Sequence, residues 1–472
     1  MKRFRILSLG LAVLTVACLF AMTFVSSAAD GFLAASNTGA SVTGNFYDVI
    51  AAAGKELGNA PYGHGQHQTR IVEAPSGIYM AILTGDSWQD PQNGIAYEMS
   101  LIRVAEGKTE LLFAAPVFGT STTACAMVDR DGNVWVYSGS TGSIGSNNEF
   151  AVWCYEPTSG AITKYPSTQK VKGGCGYSAS IMDPVANKIF ACNGGELYFT
   201  WCEFDIDTKE WQKVQYQKLD CRYCYHFGFG DGKGGFYVVN ERDSMNSNVF
   251  SNLDGVRVSD AMATYRSRKI NAGYMWDQGN LIYIPNAREK DWQYQVIDPV
   301  VYDVEKGVYP NWVNAHNDLM LDPETGLLYV VAVFDDNGEP GIKTHVYVYD
   351  TNDNLSLVEH KTYPFTMGYD VIATNRFFLD AEDNLWLIVM DEKRPYMEIW
   401  LGTGENKTDF KLAFDQRLPE AISGGGDYFL TTSRRGGSIA SDVAHLIIPE
   451  NNTYYYMDVD FSVIRERLGM NK

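Results

Sequence analysis

Short apolar or alternating runs, separated by turn residues, repeat along most of the chain, and stretches with the 3.6-residue period of a helix are nearly absent. The clearest unit is an apolar strand, a turn that begins with aspartate, and a second strand rich in aromatic and β-branched residues. Clear copies span 127–137, 319–333 and 377–389. Asp129 and Asp380 begin the turns of the first and third copies. This pattern predicts antiparallel β-hairpins.

The hairpins recur at regular intervals. Further turns are expected at Ala74-Pro75-Ser76-Gly77, Asp183-Pro184, Asp231-Gly232 and Asp277-Gln278-Gly279. A second pair of strands follows the hairpins, as at 152–155 with 163–165, at 300–303 and at 345–350. The turns repeat about every 45 to 58 residues. A fixed period with four strands per copy predicts an all-β fold, a single β-propeller of four-stranded blades.

The predicted number of blades depends on how the two ends of the chain are assigned. A strand within 41–53 is expected to close the ring by joining the last blade, which is formed by 426–460. Eight blades are predicted, and seven blades with extra terminal strands are the alternative. No linker or shift in composition divides 30–472, so this range is predicted to be one propeller domain. Residues 464–472 are expected to form a short helix.

The first 29 residues have the features of an export signal. A basic start is followed by an apolar run over 6–25 and by the small residues Ser26-Ser27-Ala28-Ala29. We therefore predict a signal peptide over 1–29, and a protein that is secreted or held at the cell surface. A lipoprotein attached at Cys18 and an uncleaved anchor are the alternatives. No later apolar run is long enough to span a bilayer, so no stable membrane insertion is expected after signal removal.

The net charge of the chain limits the classes of binding partner that are expected. The net charge of −19 argues against nucleic acid and anionic lipid, which both favour cationic protein surfaces. An acidic polysaccharide remains compatible, because a local cluster of arginines could lie within an acidic surface. Glycan is the predicted partner, and nucleic acid is not.

Cysteine and histidine spacing suggests little metal or redox chemistry. Seven cysteines follow the signal, an odd number. Cys175 and Cys192 could form a disulfide across the hairpin that turns at 183–187, whereas Cys154 and Cys202 fit better as small buried apolar residues. His64 and His67 could bind a metal, but no third ligand is evident. We predict no cofactor and no catalytic metal, and leave a structural calcium or zinc ion open.

Propeller geometry indicates where a ligand would bind. The innermost strand of each blade begins at one face, here named the start face, and the second strand returns to it. Residues near these strand ends are polar, aromatic or basic rather than aliphatic, which suits a ligand with carboxylate or sulfate groups. The predicted ligand-binding residues are His64, Tyr177, His226, Asn271, Arg288, His316 and Arg394.

The most distinctive local sequence runs from Cys221-Arg222-Tyr223-Cys224-Tyr225-His226 through a glycine-rich turn to Asn240-Glu241-Arg242-Asp243. If it forms one hairpin, Tyr225 and Arg242 lie at the same rim. A guanidinium group beside a phenol stabilises the phenolate, which makes the tyrosine a candidate proton-transfer group. The alternative is a tyrosine whose hydroxyl is simply held in a hydrogen-bond network.

Two segments resemble secreted propellers with BNR-type repeats, which include ulvan lyases and related uronate-acting polysaccharide lyases. One is Gly63-His64-Gly65-Gln66-His67, leading into Arg70-Ile71-Val72, and the other is the Tyr225–Arg242 hairpin. The resemblance implies β-elimination on a uronate polysaccharide, with Arg242 neutralising the carboxylate and Tyr225 or His67 moving the proton. The family's second hairpin histidine would fall at 86–88, where this sequence has none.

Two functions therefore remain open at this point. The first is a carbohydrate-active enzyme, a lyase of acidic polysaccharide with Tyr225, Arg242 and His67 as catalytic residues. The second is a non-catalytic surface propeller that binds glycan or protein.

Overall fold

The computed structural model describes most of the strands and one helix. It covers residues 47–48, 69–90, 94–105, 108–118, 124–139, 149–170, 178–194, 198–218, 222–243, 251–253, 256–257, 276–297, 317–335, 342–363, 374–390, 396–417, 429–431, 434–450 and 453–470. At several strand ends, including 222–225 and 241–243, it describes the backbone and not the side chains.

The described strands form seven antiparallel sheets, numbered here as blades 1 to 7. Blade 1 contains β2 (Ile71–Ala74), β3 (Gly77–Asp90), β4 (Gly94–Ala105) and β5 (Lys108–Phe118). Blade 2 contains β6 (Cys125–Val128), β7 (Val134–Gly139), β8 (Glu149–Glu156) and β9 (Ala161–Lys170). Blade 3 contains β10 (Ala179–Asp183), β11 (Lys188–Gly194) and β12 (Tyr198–Asp205), with β13 (Glu210–Trp211) and β14 (Gln215–Lys218) both paired to β12.

The second half of the ring follows the same plan. Blade 4 contains β15 (Arg222–Gly230), β16 (Phe236–Asp243), β19 (Trp276–Ile284) and β20 (Gln293–Val296), and β17 (Ser251–Leu253) pairs separately with β18 (Val256–Arg257). Blade 5 contains β21 (Asp318–Leu321), β22 (Leu327–Asp335), β23 (Ile342–Asp350) and β24 (Ser356–Tyr363). Blade 6 contains β25 (Thr374–Leu379), β26 (Leu385–Met390), β27 (Tyr396–Thr403) and β28 (Asp409–Arg417). Blade 7 contains β29 (Phe429–Thr431), β30 (Val443–Glu450), β31 (Thr453–Asp460) and β1 (Tyr47–Asp48).

The aspartate turns explain why the first two strands of a blade form a hairpin. In blade 2, Asp129 Oδ1 accepts the backbone N–H groups of Asp131 and Asn133. Its Oδ2 accepts the Asn133 side-chain amide at 3.0 Å and the indole N–H of Trp135 at 2.8 Å. One carboxylate thus closes the turn and holds a fully buried tryptophan. Asp380 makes the equivalent contacts in blade 6.

The innermost strands pack side by side around an axis, from β2 through β6, β10, β15 and β21 to β25, and β29 returns to β2. Apolar clusters fill the spaces between neighbouring blades, including those between blades 3 and 4, 6 and 7, and 7 and 1. β1 completes blade 7 by pairing Tyr47 with Tyr456. These contacts confirm the predicted all-β propeller and its closure by an N-terminal strand.

The prediction of eight blades was wrong, and the alternative of seven fits the sheets that the structure describes. The turn expected at 277–279 is absent, because these residues lie inside β19, the third strand of blade 4. A long connection between β16 and β19 displaces the sequence repeat there. The other expected turns, at 75–76, 129–133, 183–187, 231–235, 322–326 and 380–384, all join the first two strands of a blade. Residues 300–303 lie outside the described part.

The C-terminal helix α1 (Phe461–Leu468) begins three residues before the predicted start. Asp460 accounts for this, since its carboxylate caps the backbone N–H groups of Ser462 and Val463. Arg465 on this helix is 2% exposed and binds Asp380 of blade 6 and Asp442, which precedes β30 of blade 7. The helix therefore ties the last two blades together.

The cysteines whose side chains the structure describes are free thiols: Cys125, Cys154, Cys192 and Cys202. The interpretation of Cys154 and Cys202 as small buried residues is confirmed. The suggested Cys175–Cys192 disulfide was wrong, because Cys192 is a free buried thiol that pairs in register with Ala179.

The signal peptide predicted over 1–29 lies outside the described residues and stays a prediction, as does the secreted or cell-surface location. Among the residues that the structure describes, no helix is both long enough and apolar enough to cross a membrane.

Candidate functional site

Polar residues mark the point where the innermost strands begin at the start face. Ser178 and Asn317 directly precede β10 and β21, His226 lies within β15, and Asn375 is the second residue of β25. All four are buried. The ligand-binding role that the sequence predicts for polar residues at this face stays a prediction.

The face opposite the start face carries the turns that join the first two strands of each blade, and we name it the turn face. A segment of blade 7 enters the central channel from this face. The chain between β29 and β30 forms a short 3-10 turn, Arg435–Gly437, that contacts β2, β6 and β10. A side chain at Gly437 would collide with the backbone oxygen of Val128, and one at Gly436 would crowd Thr69. Only glycine lets this turn approach the strands so closely. We call it the channel plug.

Arg435 of the channel plug makes a buried ion pair at the axis. Its guanidinium group binds both carboxylate oxygens of Asp318, at 2.6 and 3.0 Å, and the carbonyl oxygen of Leu319 at 2.9 Å. The same group lies 4.0 Å from the ring centroid of Phe227. Bidentate binding and stacking both favour arginine over lysine at this position.

Two more buried arginines lie close to the axis. Arg376, on β25, is 1% exposed and lies 5.5 Å from the ring centroid of Phe227. Arg70, 0% exposed, directly precedes β2. With Arg435, three guanidinium groups are therefore buried around the innermost strands of an acidic protein. One of the three, Arg435, is neutralised by its ion pair with Asp318.

The expected hairpin carrying Tyr225 and Arg242 is present as β15 and β16. Its register pairs Arg242 with Tyr223, and the next pairs on either side of an irregularity are Cys224–Glu241 and Phe227–Val239. Tyr225 therefore lies in a β-bulge, next to the strand end that carries Arg242. Both residues belong to the two innermost strands of blade 4 at the start face, as the sequence predicted, although they are not directly paired. Bulges are often found beside active sites, where they redirect a side chain.

His226 follows Tyr225 in the bulge, and its ring lies between blades. The ring packs edge-on against Phe199 of blade 3, with 5.3 Å between the centroids. Burial alone lowers the pKa of His226 to about 3, so the ring is neutral at physiological pH. Neither ring nitrogen has a hydrogen-bond partner among the described residues. The predicted ligand-binding role of His226 is untested, but its side chain is fully buried.

Arg288 lies away from the start face. Its guanidinium group donates to Glu203 Oε1 at 3.0 and 2.7 Å and to Asp205 Oδ2 at 2.9 Å, and the hydrogen bonds to Glu203 raise the pKa of Arg288. The expected position at the start face was wrong, because β19 ends at the turn face opposite Phe236. Arg288 instead joins blade 4 to blade 3.

The remaining predicted site residues lie outside the described part of the chain: His64, His67, Tyr177, Asn271, His316 and Arg394. Their roles stay predictions. Within the part that the structure describes, no group of three or more His, Cys, Asp or Glu side chains could hold a metal ion.

A cavity of about 420 Å³ opens on the turn face between blades 3, 4 and 5. Its apolar lining includes Met182, Phe229 and Leu321. The carboxylates around it already serve as turn acceptors: Asp183 accepts the Gly232 N–H at 2.8 Å, and the other turn aspartates make similar contacts. These groups stabilise the turns and junctions between blades, and the candidate catalytic hairpin lies at the other face.

Comparison with known proteins gives propellers of several kinds. No protein-family model and no curated protein sequence matches the chain. Solved structures that match include the polysaccharide lyase Uly1, at 10% identity and TM-score 0.46 over 86% of this chain and 91% of that one. They also include the α-L-arabinanase of Penicillium chrysogenum, at 10% identity and TM-score 0.42 over 73% and 98% of the two chains. A third is the β-propeller domain of Myceliophteria thermophila Cps50 (Swd1), at 10% identity and TM-score 0.37 over 70% of this chain and 95% of that one. Likeness at this level carries no argument about activity, and the BNR-type resemblance stays a resemblance.

Proposed function

We propose that this chain is a carbohydrate-active propeller that binds an acidic, uronate-containing polysaccharide at the start face and cleaves it by β-elimination. The observation that carries the proposal is the bulge in blade 4. Tyr225 belongs to that bulge, and Arg242 lies near the adjoining end of the paired strand. A phenol and a guanidinium group in this relation supply a proton-transfer group and a partner for the uronate carboxylate.

The proposed reaction needs no water and no cofactor. Arg242 binds the uronate carboxylate, which makes the proton on C5 easier to remove. One of Tyr225 and His67 takes that proton, and the electron pair left on C5 forms the C4–C5 double bond as the bond from C4 to the leaving oxygen breaks. The other residue gives a proton to that oxygen.

The second candidate function is a non-catalytic propeller that binds glycan or protein. It is kept because two predicted ligand contacts are not available to a substrate: the ring of His226 is buried between blades, and Arg288 is held in ion pairs at the turn face. Fewer polar groups are then available to act on a substrate than the sequence predicted.

A lyase assay separates the two candidates. The protein is incubated with a panel of acidic polysaccharides, and the unsaturated uronate ends formed by β-elimination are followed by their ultraviolet absorbance. Tyr225→Phe and Arg242→Ala are expected to lose turnover and keep the fold. Tyr165→Phe and Arg130→Ala are matched controls in blade 2, away from the candidate hairpin: Tyr165 lies on the outermost strand, β9, and Arg130 in an exposed turn, and both variants should keep wild-type turnover. Binding to a polysaccharide with no unsaturated product would exclude the lyase and favour the binding propeller.

A further inference from the structure

The cavity on the turn face is a candidate site of its own, at the end of the ring opposite the candidate catalytic hairpin. Its volume is about 420 Å³. Because protein interiors are close-packed, an opening of this size is more than a packing defect. A dry cavity of roughly 150 Å³ already holds benzene, and ligand pockets range from about 300 to 1,000 Å³. The cavity is therefore large enough for one small molecule.

The turns of three consecutive blades form the walls of the cavity. The turns of blades 3 and 4 touch, because the Gly232 N–H donates to Asp183 Oδ2 at 2.8 Å. A side chain at Gly230 would lie 2.4 Å from Cβ of Asp183, so glycine is needed for this approach. The turn of blade 5 and the residues Arg434 and Ser438, at the ends of the channel plug, complete the lining.

Apolar side chains line the cavity from its interior to its rim. Met182 and Phe229 are buried, whereas Val185 is 72% exposed. The guanidinium group of Arg435 lies 5.4 Å from the ring centroid of Phe229, but Asp318 neutralises its charge. An apolar group placed here would be removed from water, which favours its binding.

Two of the charged residues in the lining are neutralised by ion pairs. Asp322 accepts from Lys407 Nζ at 2.7 Å. Arg434 Nη1 lies 2.5 Å from Asp383 Oδ1. Neither Asp322 nor Arg434 therefore selects the charge of a ligand.

The charges that remain are mainly negative. Asp183 and Asp231 accept hydrogen bonds from backbone N–H groups and from the Tyr283 hydroxyl. Neither carboxylate is in an ion pair among the residues that the structure describes. Burial raises the pKa of Asp183, and the nearby charge of Asp231 adds to the rise. Lys233 is the cation of the lining without an ion pair in that part of the chain, and it is exposed, so water screens its charge.

We propose that this cavity binds a small organic cation, an ammonium group carried on one aromatic ring or on a short hydrocarbon chain. The apolar part of the ligand contacts Met182 and Phe229, and the ammonium group lies near the carboxylates of Asp183 and Asp231. A cation at this position offsets the repulsion between the two carboxylates and the cost of their burial. The site does not depend on the proposed lyase function, because it lies at the opposite face of the ring.

Three probes of similar size and different charge test the site: phenethylammonium, the neutral 2-phenylethanol and the anion 3-phenylpropionate. Binding is followed by NMR of protein labelled with carbon-13 at the methionine methyl groups, and Met182→Leu identifies the signal of Met182. We expect phenethylammonium to shift this signal saturably, 2-phenylethanol to bind about tenfold more weakly, and 3-phenylpropionate to leave it unchanged. Equal affinities, or tightest binding of the anion, would overturn the preference for a cation. No shift of Met182 with any probe would overturn the site itself.

Variants then test the roles of the charge and of the cavity. Asp231→Asn keeps an oxygen for the backbone N–H groups of Lys233 and Gly235 and removes the charge. It should weaken phenethylammonium about tenfold and leave 2-phenylethanol unchanged. Val185→Trp, which fills the rim from an exposed position, should weaken both probes. Asp131→Asn removes an exposed carboxylate from the turn of blade 2 at the same face and should change neither affinity. An equal loss of phenethylammonium affinity in the two asparagine variants would assign the attraction to general surface charge and overturn the proposal. The selectivity of the wild-type protein among the three probes decides the question even if Asp231→Asn does not fold.

Discussion

The two aspartate–tryptophan turns provide a stability experiment with its control inside the same chain. Asp129 and Asp380 make the same contacts to their turns, including the indole N–H of Trp135 at 2.8 Å and of Trp386 at 2.9 Å. They differ because Asp380 Oδ2 also accepts a hydrogen bond from the buried Arg465 at 2.6 Å. The loss of unfolding free energy on Asp129→Asn therefore measures the turn contacts alone. The loss on Asp380→Asn measures the turn contacts together with a buried ion pair.

The expected size of each effect follows from the contacts that are lost. Asp129→Asn keeps one oxygen for the backbone N–H groups but presents an NH2 group to the indole and amide donors. Leaving such a donor unpaired costs about 1–3 kcal/mol when it is buried, so the two donors together give an expected loss of about 2–6 kcal/mol. Asp380→Asn should cost about 1.5–3 kcal/mol more, the contribution of a hydrogen bond to a charged group. Arg465 keeps Asp442, which prevents a larger loss.

The assay is equilibrium unfolding in guanidinium chloride, followed by tryptophan fluorescence and circular dichroism, which must give coincident transitions. Arg465→Met completes a double-mutant cycle, and in that background the two asparagine substitutions should cost the same. Equal losses in the wild-type background would refute the assignment of the extra stability to the Arg465 ion pair. A difference that persists with Arg465→Met would refute it as well.

Two further predictions concern blade 7. Burial alone would lower the pKa of His445, but its contacts with Asp458 at 2.6 Å and Glu73 at 3.5 Å hold it above the ordinary value. This stabilisation is complete below the unfolded histidine pKa of about 6.5 and is lost as pH rises through the folded value. The stability advantage of wild type over His445→Gln should therefore shrink from pH 6 to pH 9 in urea unfolding, and a growing advantage would contradict the assignment. Gly437→Ala should lower the free energy of unfolding by more than the roughly 1–2 kcal/mol of a left-handed alanine, because its methyl group meets a backbone oxygen of blade 2. Gly160→Ala, at an open site with a similar backbone angle, should lower it by that amount only. Equal thermal shifts in the two variants would show that the channel plug is not tightly packed.

Local chemistry made much of the fold predictable from sequence. The turns at Asp129 and Asp380 are short-range devices, in which one side chain binds backbone atoms two and four residues ahead. Such turns can be recognised in a single sequence, and they gave the hairpins and the propeller. The blade count failed where a long connection separates β16 from β19, because the strand at 276–284 contains Asp277, Gln278 and Gly279, which resemble a turn. Strand pairing across a long insertion leaves no local signal.

The site was predictable only in part, for a similar reason. The hairpin of Tyr225 and Arg242 followed from one continuous segment, but its bulge depends on the exact register of two strands. Arg288 was assigned to the wrong face because its position depends on which strand precedes it. Arg435 binds Asp318, which lies 117 residues earlier in the chain, and a single sequence does not reveal such a contact.

Blade 7 links the stability of the ring to the candidate site. It is closed by β1, its helix binds Asp380 of blade 6, and its channel plug places Arg435 against Phe227. Phe227 ends the bulge that contains Tyr225, so the position of the candidate catalytic strand depends on contacts made by the last blade. A substitution that displaces the channel plug should therefore alter both unfolding and ligand binding, although it lies at the face opposite the predicted substrate. Outer-strand substitutions in blade 2, which touch neither the plug nor the bulge, should leave ligand binding unchanged.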